Sequence, residues 1–250
     1  MRKILLHVML LTLSLSASDI YATFNIEALR SANLAFYSGG IVKKVYVDVS
    51  SLVKKGEKLV ELQNDDLKAS LAMAQASLEN AKISLKFAKK DYERQLLIKD
   101  LIDEAKFDKY LLAFEKSKVA LKQAQAKLAY QQSLLERSYI FAPFDGVIVE
   151  KDVEVGDVVS GMMLRTVFKI QSVNAQKLLF EYDQKYWKSV KVGDKVTYSV
   201  NGDTTLYKGE ISKVYPLANS DNRKIKAEVK AKGFIVGLFG DGTIITDTTK

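Results

Sequence analysis

Apolar residues recur every three to four positions along two stretches in the middle of the chain. The first stretch has the spacing 4-3-4-3-4-3-4 through Leu67, Leu71, Ala74, Leu78, Ala81, Leu85, Ala88 and Tyr92. The second repeats this heptad through Phe107, Tyr110, Phe114, Ser117, Leu121, Ala124, Leu128, Gln131 and Leu135. A sustained 3.5-residue period is typical of helices that meet along a narrow seam. The pattern predicts two antiparallel helices, at about 66–98 and 103–138, with a seam that contains Leu71, Leu78, Leu85, Phe114, Leu121 and Leu128.

The segments on either side of these helices alternate apolar and polar residues, as half-buried β-strands do. The two segments, 40–62 and 144–170, also repeat each other and are called here the first and second half-motif. Glycines recur at matching places, and we expect them in turns: Gly40, Gly56, Gly146 and Gly156. The repeat predicts one split β domain, made of residues 32–64 and 142–170, that is interrupted by a helical hairpin over residues 65–140.

Short strands separated by turn signals follow the second half-motif. They are expected at 177–182, 195–200, 207–214, 224–230 and 242–246, with turns at Gly193 and Gly202. Strands at this spacing suggest a small closed barrel, which we assign to residues 171–247 together with 19–31. Trp187 follows Tyr186 in an expected helical turn, where a tryptophan belongs to the barrel core far more often than to a ligand cage.

The N-terminus has the layout of a secretory signal. Arg2 and Lys3 precede an apolar run over residues 4–15, and the small residues Ser16, Ala17 and Ser18 follow it. The run is shorter than the roughly 20 residues that span a bilayer. We therefore expect residues 1–18 to be a cleaved signal peptide. The 250-residue chain has no cysteine, so it lacks the lipid-bearing cysteine of a lipoprotein.

The composition offers little for catalysis. Without cysteine, the chain has no disulfide, thiolate zinc site or thiol nucleophile. Its single histidine, His7, lies in the expected signal peptide, so a histidine base is missing from the mature chain. Asn64, Asp65 and Asp66 have the position of a helix N-cap and first turn rather than of a catalytic carboxylate pair. We expect no enzymatic activity and no cofactor.

Metal binding and nucleic-acid binding are the remaining classes of function. Met162 and Met163 could offer thioether ligands to copper(I), but no third soft ligand is close in sequence, and we favour packing for both. The formal charge of +8 is carried largely by helical lysines outside the seam, where they are expected to be solvated. We therefore expect no metal site and no nucleic-acid partner.

Both half-motifs and the late barrel turn resemble a known family. The segments Gly39-Gly40-Ile41-Val42-Lys43-Lys44-Val45-Tyr46-Val47, Ala142-Pro143-Phe144-Asp145-Gly146-Val147-Ile148 and Val236-Gly237-Leu238-Phe239-Gly240 are similar to those of periplasmic adaptor subunits, the membrane fusion proteins. The resemblance covers about residues 32–246. It implies an elongated α+β multidomain protein with a lipoyl-like β domain, an antiparallel coiled-coil hairpin and a small β-barrel.

The resemblance also implies a role and partners. Adaptors of this family form a homo-oligomeric ring, as a hexamer or a trimer of dimers, between an inner-membrane resistance-nodulation-division transporter and an outer-membrane channel. The expected location is the periplasm, and the expected cargo is drugs or other toxic compounds. By likeness to the family's hairpin tip, the channel contact falls on Arg94, Leu97, Ile98, Leu101, Ile102 and Asp103, with Asp103 in place of the usual serine.

Three alternatives accompany this interpretation. An adaptor of an ABC-type exporter, of the type I secretion or macrolide kind, is the runner-up. A lipoate or biotin carrier would present a lysine between the half-motifs, where this chain has its helices instead. A coiled-coil tether would leave the repeated half-motif unexplained. The family's membrane-proximal domain is expected to be absent or vestigial, since few residues follow the last expected strand.

Overall fold

The computed structural model describes residues 17–161 and 165–247. Within these ranges the chain has a mixed α+β fold, which confirms the predicted class. The helices are α1 (Asp65–Leu96) and α2 (Glu104–Glu136). The strands are β1 (Ala17–Ala28), β2 (Ser31–Leu34), β3 (Gly40–Val45), β4 (Leu52–Val53), β5 (Lys58–Leu62), β6 (Tyr139–Phe141), β7 (Gly146–Lys151), β8 (Val158–Val159), β9 (Phe168–Gln171), β10 (Gln176–Asp183), β11 (Lys195–Val200), β12 (Tyr207–Ala218), β13 (Lys224–Ala231) and β14 (Phe239–Asp247).

Several expectations fall outside the described residues. The apolar run of the expected signal peptide and His7 lie there, whereas Ala17 and Ser18 begin β1. Met162 and Met163 also lie outside the described ranges. The chain divides into two compact units, one containing residues 32–170 and the other the residues on both sides of that segment.

The flanking unit is a closed six-stranded barrel with the order β1-β10-β13-β12-β11-β14. Closure leaves no free sheet edge. Three of the aromatic rings in its core pack together: the Phe24 centroid lies 4.8 Å from that of Phe180 and 5.5 Å from that of Tyr198. The small closed barrel predicted from the strand spacing is therefore present.

The prediction that Trp187 belongs to the barrel core is wrong. A short 3-10 turn, Gln184–Tyr186, follows β10, and the Val190 backbone N–H donates to the Tyr186 carbonyl at 3.2 Å. Residues four apart in such a turn share one face, so Tyr186 and Val190 both pack on the core. Trp187, one position later, faces away and is 63% exposed.

A polar network lies on the barrel wall around Glu228. Its carboxylate accepts hydrogen bonds from the Lys177 ammonium at 3.1 Å and the Tyr215 hydroxyl at 2.6 Å. Burial alone would raise the pKa of Glu228, but these two donors outweigh it and the pKa is lowered. The folded barrel therefore favours the ionised carboxylate.

The second unit contains a split β domain of two four-stranded sheets, β2-β9-β7-β4 and β6-β5-β3-β8. Each sheet combines strands from before and after the helices, so neither half-motif forms a sheet alone. The shared core includes Phe36, Leu59, Ile148 and Phe168. The two halves close into one domain only when the helices between them leave and return together.

The four glycines of the half-motifs have two different roles. Gly56 and Gly156 occupy turns with φ of +83° and +95°, a backbone region that favours glycine. Gly40 and Gly146 instead begin β3 and β7, so the expectation that they lie in turns is wrong. Gly40 is small for a packing reason, because a Cβ atom there would lie 3.1 Å from Leu62 Cδ1.

Candidate functional site

The hairpin formed by α1 and α2 begins at a buried polar pair. Asn64 precedes α1 and Ser138 follows α2, and the Asn64 Nδ2 donates to Ser138 Oγ at 3.0 Å. The Ser138 hydroxyl donates in turn to the Leu135 carbonyl at 2.6 Å. The expected side-chain cap by Asn64 is not formed, because its side chain is directed to Ser138 instead. This pair joins the two ends of the hairpin at the β domain.

An ion pair connects the first turn of α1 to β3. The Lys43 ammonium lies 3.0 Å from Asp65 Oδ1, and this hydrogen bond lowers the pKa of Asp65 and raises that of Lys43. Asp65 and Asp66 both lie in the first turn of α1, as expected from the favourable interaction of carboxylates with the helix dipole. Both carboxylates therefore belong to the helix start.

The two helices contact each other along the residues of the heptad. Ala74 and Ala124 are the buried positions in the middle of each helix, where small side chains let the backbones approach. The larger seam residues are half-buried, as a two-helix contact allows: Leu71, Leu78, Leu85, Phe114, Leu121 and Leu128. The helices end at Leu96 and Glu136, two residues earlier than expected.

An aromatic cluster fixes the end of the hairpin far from the β domain. Tyr92 stacks on Phe114 with ring centroids 5.2 Å apart and contacts Phe107 at 5.8 Å. The Lys99 ammonium lies 5.1 Å from the centroid of the Phe107 ring, within the range of a cation–π interaction. Phe107 is buried beneath the tip. The heptad contains all three aromatic positions but does not indicate that they meet.

The tip itself is a short, capped connection. A 3-10 turn, Lys99–Leu101, separates the helices, and Asp103 caps α2 by accepting from the Ala105 N–H at 2.8 Å and the Lys106 N–H at 3.3 Å. Leu97 and Leu101 are 86% and 84% exposed. Water-exposed leucines at this density mark a surface available for contact with another molecule. Ile98 is also exposed, whereas Ile102 is half-buried.

Arg94 lies on the exposed side of α1, one turn before the tip. Its guanidinium forms an ion pair with Asp91 and remains largely exposed to solvent. Together with Phe87 and Leu97 it lines a shallow hollow of about 600 Å³. An arginine beside apolar side chains can make charge-assisted hydrogen bonds to a partner while its neighbours bury apolar area. The structure thus brings Arg94, Leu97, Ile98 and Leu101 to one end of the hairpin.

Two other kinds of feature have no counterpart in the described part of the chain. No group of three or more histidine, aspartate or glutamate side chains could hold a metal ion within residues 17–161 and 165–247. None of the helices in those ranges is both long and apolar enough to cross a membrane. What the hairpin offers is a contact surface.

Comparison with protein families gives a match to the CzcB-like barrel-sandwich hybrid domain over residues 30–171, more than half of the chain. Among curated proteins, the cobalt-zinc-cadmium resistance protein CzcB of Cupriavidus metallidurans is 25% identical over 208 residues. The macrolide export protein MacA of Yersinia pestis is 23% identical over 228 residues. The aligned segments cover 80% and 83% of this chain. The chain spans 39% and 61% of the two relatives, less than two thirds of either.

The fold is also found among solved structures. The membrane fusion protein Spr0693 of Streptococcus pneumoniae R6 superposes with a TM-score of 0.72 at 16% identity. The superposition covers 92% of this chain and 100% of that one. The fold described above is therefore shared with that protein.

Proposed function

Because the chain belongs to the CzcB-like barrel-sandwich hybrid family of membrane fusion proteins, we propose that it is a periplasmic adaptor of a tripartite efflux pump. It would connect an inner-membrane transporter to an outer-membrane channel and seal the path between them. Residues 1–18 would be removed as a signal peptide on export. In this role the protein carries out no reaction and needs no cofactor, and the transporter supplies the energy.

The observation that carries the proposal is the exposed apolar tip. Leu97 and Leu101 extend from a hairpin whose end is fixed by the Tyr92–Phe107–Phe114 cluster and capped by Asp103. A rigid support lowers the entropy lost on binding. We propose that Arg94, Leu97, Ile98, Leu101 and Ile102 contact the channel, with Asp103 holding the tip in shape.

Neighbouring copies would pack side by side in a ring. The hairpin carries further apolar side chains that are exposed outside the seam: Met73, Ile83, Phe87, Leu112, Val119 and Tyr130. Their apolar area is available for contacts between neighbouring hairpins. A hexamer or a trimer of dimers would bury them between hairpins.

The transporter partner and the cargo are the remaining parts of the proposal. We propose a resistance-nodulation-division transporter and a cargo of drugs or other toxic compounds, the assignment closest to the motifs. The similarity to CzcB, named for cobalt, zinc and cadmium resistance, makes metal ions the cargo to compare. An ABC-type exporter is the second candidate partner, favoured by the match to macrolide export protein MacA over 83% of this chain.

The test is a site-directed cross-link in cells from a single cysteine at Leu101, in a chain that has no other cysteine. Leu101 is preferable to Asp103, because Asp103 caps α2 and its loss would disturb the helix start. We expect a covalent product that contains an outer-membrane channel protein. A matched control is Tyr130→Cys, exposed on the same hairpin but near its other end.

Cross-links to a channel from Leu101→Cys but not from Tyr130→Cys would support the tip contact. Channel products from neither position, or equal amounts from both, would contradict it. A second measurement is the growth of a deletion strain with zinc, cadmium or amphiphilic drugs, with and without the Leu97→Asp/Leu101→Asp variant. Full resistance from a normally folded variant would refute the proposed role of the tip.

A further inference from the structure

A groove on the barrel unit has no role in the adaptor function described above. It has a volume of about 820 Å³, within the range of sites that bind drug-sized molecules. One wall is the end of β12 with Pro216 and Leu217, and the other is the turn with Lys185 and Trp187. Ile225 and Tyr182 also line it. Trp187 and Leu217 are largely exposed, so each wall of the groove carries one large apolar side chain in contact with solvent.

The groove exists because β12 leaves its partner strand. Val214 pairs with Ala227 and Ala218 with Ile225, so four steps along β12 match only two along β13. The extra residues form a bulge around Pro216, which has no N–H to donate to the ladder. On the other side, the turn is anchored by the Gln184 N–H, which donates to the Arg223 carbonyl at 2.9 Å.

Two of the residues that line the groove, Lys185 and Tyr182, carry a hydrogen-bond donor. Lys185 lies on the rim. Its ammonium lies 4.9 Å from the centroid of the Tyr186 ring and has no carboxylate within 4.0 Å among the residues that the structure describes. Tyr182 is only 1% exposed, and its hydroxyl has no hydrogen-bond partner in the described structure. A buried hydroxyl without a partner is costly, and a bound acceptor would remove that cost. The neighbouring Tyr215 hydroxyl is already used by Glu228.

We propose that this groove binds an amphiphilic organic anion, a molecule with an aromatic or aliphatic body and one carboxylate or sulfonate group. The body would lie between Trp187 and Leu217, and the anionic group would pair with the Lys185 ammonium and accept from Tyr182. An ammonium that lacks a carboxylate partner and a hydroxyl donor are complementary to an anion and not to a neutral or cationic amphiphile. The groove is a property of the isolated protein, so it does not depend on the adaptor role.

The test uses Trp187, the only tryptophan of the chain, as an energy-transfer donor on the purified protein. The probes are 1-anilinonaphthalene-8-sulfonate and N-phenyl-1-naphthylamine, which share their rings and differ in the sulfonate. We expect saturable binding of both, with the sulfonate dye bound about fivefold or more tightly, as one ion pair and one charge-assisted hydrogen bond allow. Equal affinities would overturn the proposal and leave an apolar surface for a protein partner.

Matched variants separate the groove from the rest of the barrel. Lys185→Gln should remove the preference for the sulfonate dye, whereas Lys191→Gln, in the same loop but outside the groove, should keep it. Leu217→Asp should weaken binding about tenfold. Leu206 is similarly exposed but lies outside the groove, so Leu206→Asp should not weaken binding.

Tyr182→Phe should weaken the sulfonate dye alone, and because it deletes an unpaired hydroxyl, the thermal midpoint of the barrel should not fall. Unchanged sulfonate binding in both Lys185→Gln and Leu217→Asp would refute the site. Because no transporter or channel is present in the assay, its failure would leave the adaptor proposal standing.

Discussion

Removing the hydroxyl that joins the two ends of the hairpin should destabilise the unit of residues 32–170. In Ser138→Ala the Asn64 Nδ2 loses its acceptor, while Asn64 Oδ1 already has no partner in the described structure. Asn64 has no exposed surface in the folded chain, so water does not replace the lost bond without rearrangement. The Leu135 carbonyl keeps a donor, because the Ser138 backbone N–H also reaches it at 3.0 Å. One newly unsatisfied buried donor is thus the main cost.

The expected magnitude follows from that single group. A buried donor left without a partner costs about 1–3 kcal/mol. In a chain that already carries Asn64→Leu, the side chain at position 64 has no donor that needs the Ser138 hydroxyl. Ser138→Ala should then lower the free energy of unfolding by less than about 0.5 kcal/mol. The double-mutant cycle should therefore give a coupling free energy of roughly 1–2 kcal/mol between the two positions. Asn64→Leu alone should cost little, because the Ser138 hydroxyl still donates to Leu135.

The assay is urea unfolding followed by circular dichroism at 222 nm. The two long helices both belong to the unit of residues 32–170, so this signal reports on that unit. A matched control is Ser117→Ala, which removes a similar hydroxyl-to-carbonyl bond at a half-buried position of α2. This change leaves no side-chain donor without a partner and should change the free energy of unfolding by less than about 0.5 kcal/mol. An equal loss from Ser138→Ala with and without Asn64→Leu would refute the reasoning.

Three further predictions concern the seam, the barrel wall and a turn. Leu121→Asp places a carboxylate in the half-buried seam and should lower the free energy of unfolding, followed by circular dichroism at 222 nm, by about 2–3 kcal/mol. Lys122→Asp, on the exposed side of α2, should leave that free energy nearly unchanged. The hydrogen-bond donors around Glu228 lower its pKa despite its burial. The ionised carboxylate therefore stabilises the folded barrel above pH 4.5, the ordinary pKa of a glutamate, and this stabilisation is lost as the pH falls. In Glu228→Gln the stability of the barrel should therefore depend less on pH in the acidic range. Unfolding of the barrel is followed by the fluorescence of Trp187. Gly156→Ala should cost about 1–2 kcal/mol in urea unfolding from its positive φ alone, because no atom lies within 4 Å of the added methyl group.

Each of these predictions has a contrary outcome. Equal destabilisation by Leu121→Asp and Lys122→Asp would mean that the seam does not lie where the structure has it. A Glu228→Gln protein with the same acid transition as the parent would assign that transition to other carboxylates. A fully stable Gly156→Ala protein would show that the turn changes conformation without cost.

The heptad spacing is enough to predict the hairpin, because few structures other than paired helices sustain a 3.5-residue apolar period. The repeated half-motif likewise predicts the split β domain, and regular strand spacing predicts the barrel. Asp103, directly before Glu104, caps α2, as an aspartate at the start of a helix commonly does. These features depend on local patterns that a single sequence contains.

Features that depend on residues far apart in sequence could not be predicted. Asn64 has the sequence of a helix cap, but its partner Ser138 is 74 positions away. Gly40 is required by Leu62 on the neighbouring strand rather than by a turn. Trp187 is expected in the core because large aromatic residues usually are, yet Tyr186 and Val190 already occupy that face. In each case a tertiary contact decided between two locally acceptable arrangements.

The order of the strands has a consequence for how the chain folds. The barrel strand β1 pairs with β14, with Asp19 opposite Ile245, and the split domain and the hairpin lie between them in sequence. The entropy lost on closing a loop rises with its length, roughly as (3/2)RT ln n, so folding should proceed outward from the hairpin. Each inner step shortens the loop that the next must close. The barrel of a chain nested in this way cannot close until its last strand, β14, is available to pair with both β1 and β11.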